Sequence, residues 1–271
     1  MIRFPNAKIN LGLNIVSKRD DGYHNLETIF YPIDIKDALE VVPAKEGVTE
    51  AYRFFQSGIP IAGDEEHNLV IKALKLVKQE REIPPIDIYL HKTIPFGAGL
   101  GGGSANASAM LHLLNDMFEL KYNHDKLINL AQKLGADCPF FINNKPAFAT
   151  GIGEHLEEVE LDLSNYHFAI VKPDIWVSTA DAYSMIIPQD ADISLKEVIK
   201  MPVAEWKNVM TNDFEQPIFN KYPQICEIKE ELYNQGAIYA SMSGSGSSVF
   251  AIFDRKPNIE GLFQQHFVWI Q

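Results

Sequence analysis

The amino-acid sequence predicts an α+β fold, with strands and helices mixed along the chain rather than strictly alternating. Two observations carry this prediction. The first segment alternates apolar and polar residues, and a glycine-rich segment at 95–104 is followed by two helical patterns in succession. The 271 residues are long for one hydrophobic core and suit two domains, which we place at 1–155 and 156–271.

The first strand is expected at residues 7–16, because apolar residues at odd positions alternate with Lys8, Asn10, Gly12 and Asn14. One face of this strand would join the core, while the other carries an ammonium and two amides. Such a face is typical either of the floor of a ligand-binding site or of a solvated sheet surface. As a floor, it would let Lys8 supply the positive charge that the glycine-rich segment lacks.

The remaining elements follow from periodicity and from turn residues. Strands are expected at 28–42, 51–56, 86–91, 147–152, 168–171, 237–242 and 248–253. Helices are expected at 68–80, 105–118, 125–134, 179–186 and 224–235. Gly135 is expected to end the third of these helices as its C-terminal stop.

The glycine-rich segment has the composition of a phosphate cradle. Five glycines occur in the seven positions 97–103, directly before a helical pattern. Glycine permits positive φ and lacks a Cβ, so that consecutive backbone N–H groups can converge on an anion. The unpaired amides at the start of the following helix would add further donors. A surface turn without a ligand is the alternative interpretation.

Two better-known glycine motifs fit this segment poorly. A Walker A loop needs Lys and then Ser or Thr after its last glycine, whereas Gly103 is followed by Ser104 and Ala105. Gly97, Gly99 and Gly102 do match the dinucleotide fingerprint G-x-G-x-x-G. That fingerprint requires a strand after the helix, and here a second helical pattern follows, which disfavours a Rossmann unit.

Asp137 lies at a bend between the 125–134 helix and Pro139. Because a residue before proline is disfavoured in the αR region, we expect Cys138 to lie outside helical geometry. The carboxylate of Asp137 would then cap the turn at 139–142, as Asp commonly does. The alternative is a general base that accepts the proton of a substrate hydroxyl during phosphoryl transfer.

A run of small residues at 241–248 separates two strand patterns. As structure, it is a hairpin turn. As a functional element, its amides and hydroxyls would close over bound phosphates, and the pattern leaves both interpretations open.

Composition excludes several classes of protein. The net charge of −12 argues against a general nucleic-acid or anionic-membrane surface, which needs an excess of Lys and Arg. Two cysteines without metal-site spacing indicate a reducing, cytoplasmic location and no disulfide framework. No segment has the roughly 18 consecutive apolar residues of a membrane span, and no export signal is expected at the N-terminus.

The sequences of these segments and their order resemble those of the GHMP small-molecule kinases over nearly the whole chain. The motifs that carry the resemblance are AKINL at 7–11, DGYH at 21–24, PFGAGLGGGS at 95–104, LGADCP at 134–139, GIGE at 151–154 and SGSG at 243–246. The DGYH motif separates this sequence from the mevalonate and homoserine kinases of similar architecture. The resemblance implies an N-terminal domain like ribosomal protein S5 and a C-terminal ferredoxin-like α/β sandwich.

The resemblance also implies an activity and roles for single residues. ATP would phosphorylate a hydroxyl of a cytidine diphosphate-linked polyol in the non-mevalonate isoprenoid pathway, with Asp137 as base and Lys8 polarising the hydroxyl or stabilising charge on the transferred oxygens. The acceptor would be bound by Asn10, Tyr23, His24, Tyr183 and Gly244. ATP would be bound by Pro95, Phe96, Gly97, Ala98, Gly99, Leu100, Gly101, Gly102, Gly103, Ser104, Ala105, Asn68 and Lys92. Mg²⁺ would accompany the ATP, and we expect a monomer or a weak homodimer.

Two departures from the family pattern concern the phosphate site. Many relatives read Ser-Ser-Asp where this chain has Ser104, Ala105 and Asn106, so no dedicated metal ligand is expected here. Met242 also replaces a smaller residue. Two other functions stay open at this point, namely another kinase of the mevalonate or homoserine type and a nucleotide-binding protein without catalysis.

Overall fold

Helices and sheets form two compact units in this computed structural model. The structure describes residues 1–47, 49–61, 63–189 and 191–271. The strands are β1 (Ile2–Arg3), β2 (Asn6–Lys18), β3 (His24–Lys36), β4 (Ala38–Pro43), β5 (Tyr52–Gly58), β6 (Ile86–Lys92), β7 (Ala147–Thr150), β8 (His155–Glu158), β9 (His167–Lys172), β10 (Tyr239–Met242), β11 (Val249–Phe253) and β12 (Phe267–Ile270). The predicted α+β class is confirmed.

The described residues form nine α-helices. They are α1 (Leu69–Lys78), α2 (Gly102–Met117), α3 (His124–Gln132), α4 (Cys138–Asn143), α5 (Thr179–Ser184), α6 (Leu195–Val198), α7 (Val203–Trp206), α8 (Glu215–Lys221) and α9 (Pro223–Asn234). A single 3₁₀ turn at Glu65–His67 precedes α1. Among the described residues, no helix is both long enough and apolar enough to cross a membrane.

The first compact unit comprises residues 1–7, 33–96 and 101–144. Its sheet has the order β1-β4-β6-β5, with β4 antiparallel and β5 parallel to β6. Helices α1 and α2 bury their apolar faces on this sheet, and Val70, Leu74 and Leu111 belong to one core cluster with Val41 and Ile88. Since β6 leads through the glycine-rich segment into α2 and then α3, the Rossmann interpretation is excluded.

The second compact unit comprises residues 8–32, 97–100 and 145–271. One of its sheets is antiparallel, with the order β10-β11-β9-β12. A further sheet has the order β2-β3-β7-β8. Leu13, Ile15 and Leu26 share a core cluster with Val171 and Val249, so the β2–β3 hairpin is packed together with chain from the second half. This unit contains residues from both sides of the domain boundary expected at 155/156, and that boundary stays a prediction.

Three predictions near the site were wrong. The single strand expected at 28–42 is two strands in different sheets, because the N–H of Asp37 donates to the Pro5 carbonyl instead of continuing the ladder. Cys138 is helical, as the first residue of α4, because Pro139 falls in the first turn, where its missing N–H has no intrahelical partner to lose. Gly135 does not cap α3, since Lys133 holds the C-cap position.

Candidate functional site

The glycine-rich segment leads into α2 through backbone conformations that other residues rarely adopt. Gly97, Gly99 and Gly101 have φ values of +62°, +74° and +68°. Gly101 is the N-cap of α2, and the helix begins at Gly102, three residues earlier than the sequence predicted. No side chain caps this end. The first amides of α2 are therefore the donors that the fold presents to an anion.

The turn after β10 touches the middle of this segment. A Cβ on Gly99 would lie only 1.9 Å from the Ser243 carbonyl oxygen, so no other residue fits there. The Ser243 hydroxyl donates to the Gly99 carbonyl at 2.9 Å. The turn is thus a hairpin connection, as predicted, and it also supports residues 97–100 directly.

The even-numbered face of β2 carries a buried polar network. Lys8 is only 4% exposed, and its Nζ donates to Asn10 Oδ1 at 2.6 Å. Asn10 Nδ2 donates to the Thr28 hydroxyl at 3.0 Å, and that hydroxyl donates to the Gly12 carbonyl at 2.6 Å. The ammonium also lies 4.8 Å from the centre of the Phe30 ring. These contacts orient Lys8 and Asn10, and this face is not a solvated sheet surface.

An aromatic pair forms beside the DGYH motif. The rings of His24 and Tyr183 are stacked, with centroids 5.1 Å apart and an angle of 22° between the planes. The ring of Phe214 packs nearly perpendicular to that of Tyr183, with centroids 4.9 Å apart, which anchors the tyrosine ring to the core. Burial, and secondarily the charge of Lys18, lowers the pKa of His24, so the imidazole is neutral near pH 7 and offers both a donor and an acceptor. Tyr23 is 60% exposed.

Lys92 ends β6 inside a second buried network, which belongs to the first unit. Its ammonium forms an ion pair with Asp37 and donates to Asn106 Oδ1 at 3.0 Å. Desolvation lowers the pKa of Lys92, and the charge of Asp37 opposes that shift. Asn106, which occupies the position of the usual Asp, therefore faces a buried ion pair. The proposed adenine contact of Lys92 stays a prediction.

Asp137 precedes α4 with αR backbone angles of −79° and −17°. Its side chain makes no cap hydrogen bond to α4, contrary to the capping interpretation. The start of α4 is fixed by Ser108 in α2, whose hydroxyl donates to the Cys138 carbonyl at 2.7 Å. Burial raises the pKa of the Cys138 thiol to about 12, so this neighbour stays protonated. Asp137 is half-buried, and the backbone next to it is held in place by this bond.

The remaining predicted residues occupy the same two units. The side chain of Asn68 caps α1 by accepting from the Val70 N–H at 3.0 Å, and Ser104 lies in the first turn of α2. Gly244 approaches Asn10, since a Cβ there would lie 3.3 Å from Asn10 Oδ1. Within the second unit, the structure therefore brings Lys8, Asn10 and Gly244 together.

Sequence reasoning missed Asp37, the acid at the centre of the first unit's buried network. A signal was present, because Asp37 has the same odd-numbered phase as the buried residues Ile33, Ile35, Leu39 and Val41. A carboxylate at an inward-facing position requires a partner. Reading 28–42 as one strand hid this requirement.

Family models match both halves of the chain. The GHMP kinases N terminal domain matches residues 68–145, and the GHMP kinases C terminal model matches residues 194–266. The first match contains the glycine-rich segment, Lys92 and Asp137.

Curated relatives are similar over nearly their full length. The chain is 55% identical over 271 residues to the 4-diphosphocytidyl-2-C-methyl-D-erythritol kinase of Parabacteroides distasonis, covering 99% of this chain and 98% of the relative. It is 58% identical over 259 residues to the enzyme of the same name from Bacteroides fragilis, covering 96% and 94%.

Solved structures agree with these relatives. A crystal structure of 4-(cytidine 5'-diphospho)-2C-methyl-D-erythritol kinase superposes with a TM-score of 0.84 at 29% identity, covering 100% of this chain and 98% of that one. The mevalonate kinase of Methanococcus jannaschii, at 14% identity and a TM-score of 0.70, shows the shared fold alone. The chain belongs to the GHMP kinase family and, within it, to the 4-diphosphocytidyl-2-C-methyl-D-erythritol kinases.

Proposed function

We propose that the chain transfers the γ-phosphoryl group of ATP to the 2-hydroxyl of 4-diphosphocytidyl-2-C-methyl-D-erythritol in the non-mevalonate isoprenoid pathway. The products are the 2-phosphate and ADP. The observation that carries this proposal is similarity along the whole chain to kinases named for that acceptor, at 55% identity. A cytoplasmic location and a monomer or weak homodimer are parts of the same proposal.

Recognition of the acceptor is assigned to the aromatic pair and to the polar face of β2. The Tyr183 ring provides an anchored stacking surface for the cytosine, and the neutral His24 imidazole offers hydrogen bonds to the base. Tyr23, exposed beside this pair, would add a second ring. Asn10 and Gly244 are assigned to the polyol, which is supported by their proximity to each other.

The chemistry is assigned to Asp137 and Lys8. The acceptor oxygen forms a bond to the γ-phosphorus while the bond from that phosphorus to the β,γ-bridging oxygen breaks and releases ADP. The hydroxyl proton passes to the carboxylate of Asp137. The ammonium of Lys8 stabilises the negative charge on the transferred oxygens, a role supported by its fixed position between Asn10 and the Phe30 ring.

Nucleotide binding is assigned to residues 95–105. The left-handed glycines and the open start of α2 support a phosphate site built from backbone amides. Asn68 and Lys92 are assigned to the adenine side, although both side chains also hold the local fold.

Mg²⁺ is proposed to arrive with ATP, and when bound it would neutralise part of the charge on the phosphate tail. Among the described residues, no three His, Cys, Asp or Glu side chains cluster as a metal site. The Ser104 hydroxyl is the nominated protein contact, and phosphate oxygens and water would supply the other ligands of the ion.

An ADP-release assay tests the acceptor. The purified chain is incubated with ATP, Mg²⁺ and either 4-diphosphocytidyl-2-C-methyl-D-erythritol, mevalonate or homoserine. The proposal expects turnover with the first acceptor alone. Turnover with mevalonate or homoserine instead would assign another kinase activity, and nucleotide binding without turnover would leave a non-catalytic protein.

A further inference from the structure

Asp37 bonds to the chain just before the glycine-rich segment. Its Oδ1 accepts the N–H groups of Thr93 at 2.7 Å and of Ile94 at 2.9 Å, and its side chain has no solvent exposure. These two residues directly precede Pro95, where the proposed nucleotide segment begins. One carboxylate oxygen therefore fixes the N-terminal end of that segment.

The other oxygen of Asp37 bonds to the chain just after the same segment. Asp37 Oδ2 accepts from Asn106 Nδ2 at 2.9 Å and forms the ion pair with Lys92. Asn106 lies in the second turn of α2, and its Oδ1 also accepts a hydrogen bond from Lys92 Nζ. The ammonium also lies under the start of the helix, 3.2 Å from where a Cβ of Gly102 would be. The C-terminal end of the segment is thus fixed by the same group.

The arrangement leaves little freedom to the buried charges. The carboxylate accepts four hydrogen bonds, two from backbone amides, one from an ammonium and one from an amide side chain. Losing a partner would leave a charge unpaired in a buried site, which is strongly unfavourable. Both ends of residues 95–104 are consequently held in one arrangement.

We propose that Asp37 is a positioning residue for nucleotide binding: it presets both ends of the glycine-rich segment so that its amides need not be ordered when the phosphates bind. This inference rests on the proposed ATP-binding role of that segment. A preset loop binds more tightly, because less conformational entropy is lost on association. Asp37 itself makes no contact with the nucleotide in this account.

The test compares Asp37→Ala with Asp37→Asn. Both variants leave Lys92 without its carboxylate, but only Asn keeps an oxygen that can accept the Thr93 and Ile94 amides. We expect Asp37→Ala to weaken ATP about tenfold or more, the order of one hydrogen bond to a charged group. KM for the acceptor should stay near the parent value, and Asp37→Asn should recover part of the ATP affinity, because it keeps the bonds to Thr93 and Ile94 but not those to Asn106 and Lys92.

Hydrogen exchange of the peptide covering residues 93–106 gives a second readout. Exchange should be faster in Asp37→Ala and partly restored in Asp37→Asn, which keeps the bonds at the N-terminal end of the segment alone. If both variants lose folding stability equally while ATP affinity and this exchange stay at parent values, Asp37 has only a structural role and the proposal is wrong. An equal rise in KM for both substrates would also overturn it.

Asn106→Ala covers the case in which Asp37→Ala does not fold, because it keeps the ion pair and removes the bonds that link Asn106 in α2 to Asp37 and Lys92. A smaller loss of ATP affinity is expected, with faster exchange at residues 102–106, and unchanged values would contradict the proposal. ATP affinity is measured by calorimetry without any acceptor. If the chain binds ATP but ignores the cytidylyl acceptor, the proposed function fails while this test still stands.

Discussion

At the scale of single residues, the proposed chemistry depends on polar side chains that the fold has taken out of water. Lys8 and Lys92 are 4% and 3% exposed, and each ammonium has side-chain acceptors. Pairing of this kind holds a long, flexible side chain in one position. The motif order in the sequence indicated Lys8 and Asp137, whereas Asp37 was recognised from three-dimensional contacts, although its inward-facing phase is visible in the sequence.

Asp137→Asn tests the general base. The amide keeps the size of the side chain but cannot take up the acceptor proton, so kcat should fall by roughly 10²–10⁴-fold with little change in the KM for ATP. The measurement is steady-state ADP release. Asp125→Asn is the matched control, because the side chain of Asp125 is 90% exposed in the first turn of α3. Parent-level kcat in Asp137→Asn would remove this carboxylate from the reaction.

Tyr183 tests acceptor recognition. Replacing Tyr183 with Leu removes the ring that stacks on His24, and we expect KM for the cytidylyl acceptor to rise about tenfold, since stacking on a base contributes on the order of 1–3 kcal/mol. Tyr183→Phe keeps the ring and should stay near the parent value. ATP affinity, measured separately, should change in neither variant. A loss of ATP affinity as large as that for the acceptor would place Tyr183 elsewhere in the mechanism.

At the scale of elements, the decisive feature is where a strand or helix begins and ends. Helical periodicity predicted α1 and α3 well, because their apolar stripes are local features of the sequence. The start of α2 at Gly102 was not predictable, since glycine is a poor helix former and its position depends on Ile94 and Lys92 packing against it. Likewise, the break between β3 and β4 at Asp37 is set by contacts distant in sequence.

Gly99→Ala tests the contact between the glycine-rich segment and the Ser243 turn. We expect a loss of stability well above the 1–2 kcal/mol of left-handed strain, because the Cβ would also collide with the Ser243 carbonyl. Urea denaturation measures the free energy of unfolding.

Two further glycines serve as controls for that substitution. Gly236 has a φ of +91° and open space around its Cβ position, so Gly236→Ala isolates the cost of strain. Gly261 has open space and no positive φ, so Gly261→Ala should be nearly neutral. If Gly99→Ala costs no more than Gly236→Ala, the close approach of the two backbones is not as described.

At the scale of the whole molecule, two compact units are each assembled from separated stretches of chain. The length of the chain predicted two domains, and local sequence patterns predicted an α+β class. The interleaving was not predictable, since it depends on which stretches share a core. The return of residues 97–100 to the second unit, for example, follows from their contact with Ser243.

We expect the free energy of unfolding at acidic pH to depend on Asp87. Two hydrogen bonds from the Arg53 guanidinium, at 2.7 and 2.5 Å, lower the pKa of Asp87 from its ordinary value of 3.8. A lowered carboxyl pKa stabilises the fold above that ordinary value, and the contribution is lost as the pH falls through the folded-state pKa. Burial raises the pKa of Asp213, and that group acts with the opposite sign.

Urea denaturation between about pH 5 and pH 3 measures how much Asp87 contributes to the pH dependence of the free energy of unfolding. The free energy of unfolding of the parent should fall toward low pH, and Asp87→Asn should flatten that decline while lowering stability near neutral pH. Asp254→Asn, at an exposed position, should follow the parent. An unchanged slope in Asp87→Asn would show that the pair with Arg53 is not the group being titrated.

The position of the transferred phosphate tests the central claim most directly. The chain is incubated with ATP, Mg²⁺ and 4-diphosphocytidyl-2-C-methyl-D-erythritol, and carbon–phosphorus couplings in the NMR spectrum of the product locate the new ester. The account predicts a phosphomonoester on the 2-hydroxyl in the parent and almost none in Asp137→Asn. A phosphate on another hydroxyl, or ADP and inorganic phosphate without a new ester, would contradict it.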